Sequence, residues 1–323
     1  MNPVPSTIEA YPVQHLPLVK AYADKIRLVE VINQVVPTEM AIDPGTIVLG
    51  MILDTLSGRS PLSRLEEFFA HHDTALLLGQ AVAPAAVDED TVGRVFDRLY
   101  DTGTMKVLTA CAVRADQVFG VDKRDVHCDT TSMPVSGDYG RPAETAEPQV
   151  PLTITSGSSK DKRPDLKQCV FATLCVERAV PIWGKPEDGH ASDTTVNHTL
   201  LSDMATFLAK HEVAPGAYIY VAEAALVTED NRATRGDTRF ITRFPATDNA
   251  WGRLITEAVV HNTWEEVGVL AHTKPTKHRP VTFYQAYEGQ VALSGMPYRA
   301  VVVHSSAQDK RRQQRLARDL QAS

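Results

Sequence analysis

The hydrophobic pattern changes near residue 121, and this change constrains the fold more than any other feature of the chain. Before it, apolar residues recur at helical spacing in LPLVKAYADKIRLVEVINQVV (16–36), and a second predicted helix begins at Pro44 and ends near Gly58. After it, runs such as RDVHCDTTSMPV (124–135) are typical of β-strands. The sequence therefore predicts an all-helical N-terminal domain followed by a mixed α/β sheet with flanking helices.

The predicted elements after residue 121 alternate between strands and a helix. LKQCVFATLCVER and AVPIWGKP are apolar runs that meet at Arg178-Ala179, which predicts a β-hairpin. The later predicted elements are a helix in VNHTLLSDMATFLAKH, strands in AYIYVAEAAL and TRFITRFP, antiparallel strands in VTFYQAYEGQVALSG and YRAVVVHSS, and a basic helix from SAQDKRRQQRL.

Charge is distributed unevenly along the chain. The net charge of −7 argues against indiscriminate binding of nucleic acid. Residues 1–120 carry 9 Lys and Arg against 15 Asp and Glu, whereas residues 271–323 carry 9 against 3. The last segment predicts a phosphate-facing surface, with a solvated basic helix as the alternative interpretation.

The cysteines and the apolar runs indicate a cytoplasmic protein. The four cysteines form no CxxC pair, so we interpret them as reduced thiols and expect neither a disulfide framework nor a zinc site. No run approaches the roughly 18 apolar residues of a membrane helix. The N-terminal stretch MNPVPSTIEAYP lacks the basic and apolar segments of a signal peptide. We therefore expect no membrane partner.

Two carboxylates follow apolar runs that predict strands. Asp129 is expected at the C-terminal end of one strand and Glu223 at the end of another, where side chains commonly face a ligand crevice. Together they would suit Mg²⁺, although solvated surface acids are the alternative. Asp129-Thr130-Thr131 also has the D-x-T pattern of aspartyl-phosphate phosphatases, but that chemistry needs a paired-acid motif that AYIYVAEAAL does not supply.

Lysines and arginines are crowded at two places that could contact a phosphate backbone. The first lies before the strand LKQCVFATLCV and the second in the C-terminal basic segment; surface decoration is the alternative for both. The candidate DNA-binding residues are Lys160, Arg163, Lys167, Lys310, Arg311 and Arg312.

Several of these stretches together resemble one family. VHCDTTSMPVSGDY, SKDKRPDLKQ, VPIWGKPEDGHASDTTVNHTLL, YIYVAEAALVT and FITRFP resemble the catalytic core of bacterial DDE-type insertion-sequence transposases, in the IS4-like group. DPGTIVLGMILDTLSGRSPLSRLEEFF and DEDTVGRVFDRLYD resemble the helical N-terminal domain of the same group. The resemblance implies an RNase H-like core with a β-rich insertion, and it covers the chain from about residue 40 onward.

The resemblance implies cut-and-paste DNA transposition at a site of two Mg²⁺ ions. Asp129 matches the first catalytic aspartate, and Glu223 stands where the family has a second aspartate followed by Ser-Ala. The third acid belongs to a helix with the pattern Tyr-x2-Arg-x3-Glu-x6-Lys, which this sequence lacks. The implied partners are the terminal inverted repeats of a transposon and further copies of the chain, in a bacterial cytoplasm at the nucleoid.

The resemblance also sets the expected domain boundaries and three interpretations of function. We expect a helical DNA-binding or dimerising domain at 1–119, an incomplete catalytic core at 120–250, a β-rich insertion at 251–305 and the start of a basic helix at 306–323. The preferred interpretation is a C-terminally truncated, catalytically impaired transposase copy. The alternatives are an active subunit completed by another chain or a frameshift product, and a non-catalytic DNA-binding or interaction remnant.

Overall fold

The computed structural model of the chain divides into two compact units. It describes residues 10–139, 152–157, 163, 165–191, 216–222, 239–270, 274–276, 280–293, 295–309, 312, 315 and 318. The first unit holds the described residues up to 222 together with 239–241, and the second holds those from 242 onward.

Residues 10–119 of the first unit are helical. Their α-helices are α1 (Leu16–Lys25), α2 (Leu28–Val35), α3 (Pro44–Ser57), α4 (Leu65–Ala70), α5 (Thr74–Leu78), α6 (Glu89–Thr102) and α7 (Thr104–Phe119). The predicted start of α3 is confirmed, because the Asp43 side chain accepts from the Thr46 N–H at 2.8 Å and Pro44 occupies the first turn. Leu49 and Leu53 of α3 are fully buried in the core of these helices.

The first predicted helix is in fact two. Arg27 has φ +52°, so α1 ends at Lys25 and α2 starts at Leu28. This break lets Leu16 of α1 and Ile32 of α2 both enter the same core. Tertiary packing outweighs the continuous helical spacing here.

A five-stranded mixed sheet follows the helices. Its strands are β1 (Asp125–Val135), β2 (Lys167–Val176), β3 (Val180–Glu187), β4 (Ile219–Ala222) and β5 (Arg239–Thr242). They lie in the order β3-β2-β1-β4-β5; β1, β2 and β3 pair antiparallel, and β4 pairs parallel to β1. The β2–β3 hairpin turns at Arg178 (φ +58°) and Ala179 (φ +59°), as predicted.

The second unit contains a three-stranded antiparallel sheet and an α-helix that packs against it. The helix is α8 (Asn249–His261), and the strands are β6 (Glu265–Gly268), β7 (Tyr284–Leu293) and β8 (Met296–Ser305) in the order β6-β7-β8. Leu254 and Ala258 of α8 pack with Tyr287 of β7.

The predicted fold class is confirmed: an all-helical N-terminal region precedes a mixed sheet with flanking helices. The antiparallel strands in 281–306 are also confirmed as β7 and β8. The segment predicted as β-rich at 251–305 contains most of α8, which was not predicted. The helix expected in VNHTLLSDMATFLAKH lies outside the described residues. The domain boundaries after residues 119, 250 and 305 stay predictions.

Two glycine-to-alanine substitutions are expected to change stability in opposite directions. A Cβ at Gly45 would fall on the carbonyl oxygen of Val29 and 2.8 Å from its Cα, where α2 crosses α3. We expect Gly45→Ala to lower the free energy of unfolding by about 1–3 kcal/mol, because two backbones must separate. Gly93→Ala in α6 meets nothing within 4 Å and is expected to raise it by about 0.5–1 kcal/mol.

Urea unfolding of both variants, followed by circular dichroism, measures these changes. Equal stability of Gly45→Ala and the wild type would show that α2 and α3 are not in close backbone contact.

Candidate functional site

Asp129 lies in the middle of β1 and not at the C-terminal end of a strand, so this part of the prediction is wrong. It is the fifth residue of an eleven-residue strand. The strand continues because the antiparallel pairing with β2 extends to Val135 opposite Lys167. On the other side, the described pairing with the shorter β4 ends at His127 opposite Val221. Asp129 therefore lies just beyond the last described pair of the parallel part of the sheet.

Asp129 points to the more exposed of the two faces of β1. Burial alternates strictly over most of this strand: Val126, Cys128, Thr130 and Ser132 are buried, whereas Asp125, His127, Asp129 and Thr131 are exposed. We call the face that carries these four exposed residues the Asp129 face. On β2, the residues opposite are Cys175 for His127, Thr173 for Asp129 and Phe171 for Thr131.

The opposite face of the sheet is buried. Tyr220 of β4 lies beside Val126 and is fully buried. Burial, with a smaller contribution from the nearby Cys128, raises the pKa of the Tyr220 hydroxyl far above its usual range. This face therefore belongs to the core, and the candidate site lies on the Asp129 face.

The Asp129 carboxylate is held close to the backbone and to Cys175. Its Oδ1 accepts a hydrogen bond from the Thr130 N–H at 2.8 Å. Burial raises the pKa of the Cys175 thiol, and the negative charge of Asp129 raises it further. Asp129 is therefore close enough to Cys175 to act on it electrostatically.

This electrostatic contact gives a test of the site geometry. We expect Asp129→Asn to lower the pKa of Cys175 and to speed its alkylation by iodoacetamide at mildly alkaline pH, because the thiolate loses a negative neighbour. Mass spectrometry of the peptide that contains Cys175 measures the rate. Asp138→Asn is the matched control and should leave the alkylation rate of Cys175 unchanged. If Cys175 reacts at the same rate in Asp129→Asn and in the wild type, the Asp129 carboxylate does not lie near the Cys175 thiol.

A cavity of about 330 Å³ opens beside the site, at the start of β1. Its lining includes His127 and Cys175 from the Asp129 face, together with the hairpin turn at Glu177 and Arg178. Glu177 accepts from the Asp122 N–H at 3.0 Å and pairs with Arg178. These contacts fix the turn at the edge of the site.

Glu223, the second predicted acid, lies outside the described residues. The last described residue of β4, Ala222, precedes it in the chain. Within the described parts of the chain, no three His, Cys, Asp or Glu side chains converge closely enough to hold a metal ion. A carboxylate at Asp129 nevertheless supplies the hard oxygen ligands that Mg²⁺ takes, often from only one or two side chains plus substrate phosphate.

The candidate DNA-binding residues differ in their surroundings. Arg163 is exposed but forms a two-point ion pair with Asp165, at 2.8 and 2.7 Å. The Nζ of Lys167 lies 3.4 Å from Oδ1 of Asp138. Lys160, Lys310 and Arg311 lie outside the described residues. Arg312 is helical and exposed.

Two further arginines were missed in the sequence. Arg315 and Arg318 are helical and exposed like Arg312, and residues three apart lie near one another on a helix surface. The spacing in RRQQRLAR was the signal that could have found them. Across the part of the chain that is described, no helix combines the length and the apolar character needed to cross a membrane.

One family model matches the helical region of the chain. Residues 8–113 match a family described as a domain of unknown function, DUF4277. A search of curated proteins finds no match. Because the family match covers less than half of the chain, it describes the helical region and not the sheet that carries Asp129.

Two solved structures show a weak likeness. One is a Mos1 transposase paired-end complex with a left transposon end: identity is 12%, the TM-score is 0.25, and the match covers 69% of this chain and 66% of the other. The second is a pre-cleavage Mos1 transpososome, with 13% identity, a TM-score of 0.25, and coverage of 73% and 84%. At this TM-score the overlap of the Cα traces is low, so nothing that these two proteins bind or do is assigned to this chain.

Proposed function

We propose that the chain is a transposase-like protein that binds DNA and cleaves its strands with Mg²⁺, at a site built on Asp129 and Glu223. One observation supports this most: Asp129 projects from the Asp129 face at the point where the parallel neighbour β4 leads into Glu223. The pairing puts Asp125 opposite Ile219 and His127 opposite Val221. Continuing that register by two residues on each strand would bring positions 129 and 223 side by side.

The two carboxylates share one role in this proposal, which is to bind the cation. Asp129 and Glu223 would hold the cation, and Mg²⁺ would activate a water molecule and stabilise the leaving 3′-oxygen of the DNA. The Thr130 N–H fixes one oxygen of Asp129 and so helps to orient the other. Glutamate extends one methylene further than the aspartate expected at position 223, so we propose that catalysis is weak.

DNA would be attracted mainly by the C-terminal basic segment. Arg312, Arg315 and Arg318 are each helical and exposed, and residues 271–323 carry a net charge of +6. The helical region is acidic by comparison and is a poor surface for phosphate. We therefore place the terminal inverted repeats of a transposon, as the DNA partner, against the later part of the chain.

Cleavage of DNA tests this function. Supercoiled plasmid that carries the sequences flanking the gene is incubated with the full chain and Mn²⁺ or Mg²⁺, and nicked circles are counted with and without chelator. We expect slow, metal-dependent nicking that Asp125→Asn preserves, because this exposed carboxylate of the same face lies four residues before Asp129. No nicking with either metal would contradict the proposal.

A non-catalytic interaction protein is the second candidate. It is favoured by an exposed apolar group on the helical region: Leu18 and Tyr22 of α1 are 67% and 60% exposed, and the Tyr22 ring lies 6.0 Å from that of Phe119. Exposed aromatic clusters are common at protein interfaces. Stable self-association without nicking, lost in Tyr22→Ser, would favour this candidate.

A further inference from the structure

Phe171 occupies an unusual position for a large apolar side chain. It lies on the Asp129 face of β2, whereas its neighbours Val170 and Ala172 are buried on the other face. Phe171 is only half-buried, and it is opposite Thr131. It is therefore two positions along β2 from Thr173, which is the residue opposite Asp129.

A glycine on β3 leaves room for the Phe171 ring. Gly184 is the residue of β3 opposite Thr173, so Asp129, Thr173 and Gly184 form one row across the sheet. A Cβ at position 184 would lie 2.9 Å from Cζ and 3.0 Å from Cε1 of Phe171. The tip of the ring therefore lies against the backbone of Gly184, at the β3 end of this row and two strands from Asp129.

This arrangement places an aromatic surface on the same face as the Asp129 carboxylate and roughly 10 Å from it, since neighbouring strands lie about 4.8 Å apart. Phe171 and Asp129 are diagonal neighbours, whose Cβ atoms lie roughly 7–8 Å apart, and the ring extends from there toward Gly184 on β3. Protein aromatic rings stack on nucleobases of any sequence, because every base has a π-face. A phosphate held at Asp129 would bring the adjoining base of the same strand into the range of the ring.

We propose that Phe171 is a positioning residue that stacks on a nucleobase next to the phosphate held at Asp129. The proposal rests on the DNA-cleaving function proposed above, and it adds the contact that orients the strand. Its ligand is an unpaired or frayed base at a DNA end, since a stacked base pair would leave no face for the ring. Gly184 is the residue that sets the angle of the ring.

Fluorescence of 2-aminopurine tests the contact without relying on cleavage. The probe is a short DNA duplex with 2-aminopurine in a frayed end, mixed with the full chain and Ca²⁺. Stacking on Phe171 is expected to quench the fluorescence. Phe171→Leu should abolish the quenching and weaken binding roughly fivefold to a hundredfold, and Phe171→Tyr should restore both.

Gly184→Ala is the independent second variant. Its new methyl group must displace the tip of the ring, so we expect reduced quenching while Phe171 itself is retained. Phe96→Leu is the matched control, because Phe96 is 43% exposed on α6 of the acidic helical region and should leave both readings unchanged. Thermal unfolding shows which variants are folded.

The outcomes separate this inference from the function on which it rests. DNA binding by the wild type with equal quenching in Phe171→Leu would overturn the stacking contact alone. Weaker binding that Phe171→Tyr does not restore would assign Phe171 a structural role and would also overturn the contact. No DNA binding by the folded wild type would overturn both proposals.

Discussion

Replacement of Asp129 by alanine is expected to abolish metal-dependent DNA nicking, with a loss of at least about 10²-fold in rate. The reason is geometric: the carboxylate is the first of two proposed ligands, and misplacing a reacting group by about 1 Å already costs a factor of this size. Initial nicking rates in Mn²⁺ measure the effect. The fold should tolerate the change, because Asp129 is exposed on the sheet and lies outside the buried core.

Two controls make the result specific to position 129. Asp125→Asn removes a carboxylate from the same face of the same strand and should nick DNA at the wild-type rate. Asp129→Glu retains the charge but extends it, so an intermediate rate is expected. Nicking by Asp129→Ala at the wild-type rate would mean that the activity belongs to another site or to a contaminating nuclease.

Glu223→Asp is expected to raise the nicking rate, by up to about 10²-fold. The longer glutamate carries its oxygens past the position that an aspartate would give them, and Mg²⁺ demands near-ideal octahedral geometry. Larger cations accept less regular coordination, so they should narrow the difference in nicking rate between Glu223→Asp and the wild type. The gain in rate should therefore be greater in Mg²⁺ than in Mn²⁺ supplemented with Ca²⁺. Initial rates in each metal measure this gain.

Glu223→Gln is the matched control for this second prediction. It keeps the length of the side chain, removes its charge and should lower the rate. If Glu223→Asp and Glu223→Gln lower the rate equally, the native glutamate is the better ligand, and the proposed explanation for weak catalysis is wrong.

Local signals predicted the helices well. Asp43 and Asp88 both accept from the N–H three residues ahead, and the helices after them begin where these caps indicate. Capping depends on adjacent residues, so it can be seen in the sequence. The same kind of signal, Asp248 before NAWGRLITEAVV, marks α8, which the sequence interpretation passed over.

Features that depend on distant partners could not be predicted. The length of β1 is set by the residues of β2 that pair with it, so Asp129 came to lie in mid-strand. The break at Arg27 serves the packing of Leu16 and Ile32 into one core. Periodicity within a segment carries no information on the length of β1 or on the break at Arg27.

The candidate site was predicted only as far as its residue types. The sequence indicated Asp129 as a candidate metal ligand that follows an apolar run. The row of Asp129, Thr173 and Gly184, with the Phe171 ring against Gly184, follows from the register of three strands. Register is a property of the assembled sheet and is visible only in the structure.

Direct binding of Mn²⁺ to the full chain tests the central claim, that Asp129 and Glu223 form one cation site. Electron paramagnetic resonance counts free Mn²⁺ during titration of the wild type, Asp129→Asn, Glu223→Gln and the double variant, with the DNA probe present. We predict that each single substitution removes the bound ion and that the double variant loses no more than either one. Equal Mn²⁺ binding by the wild type and Asp129→Asn would contradict the account.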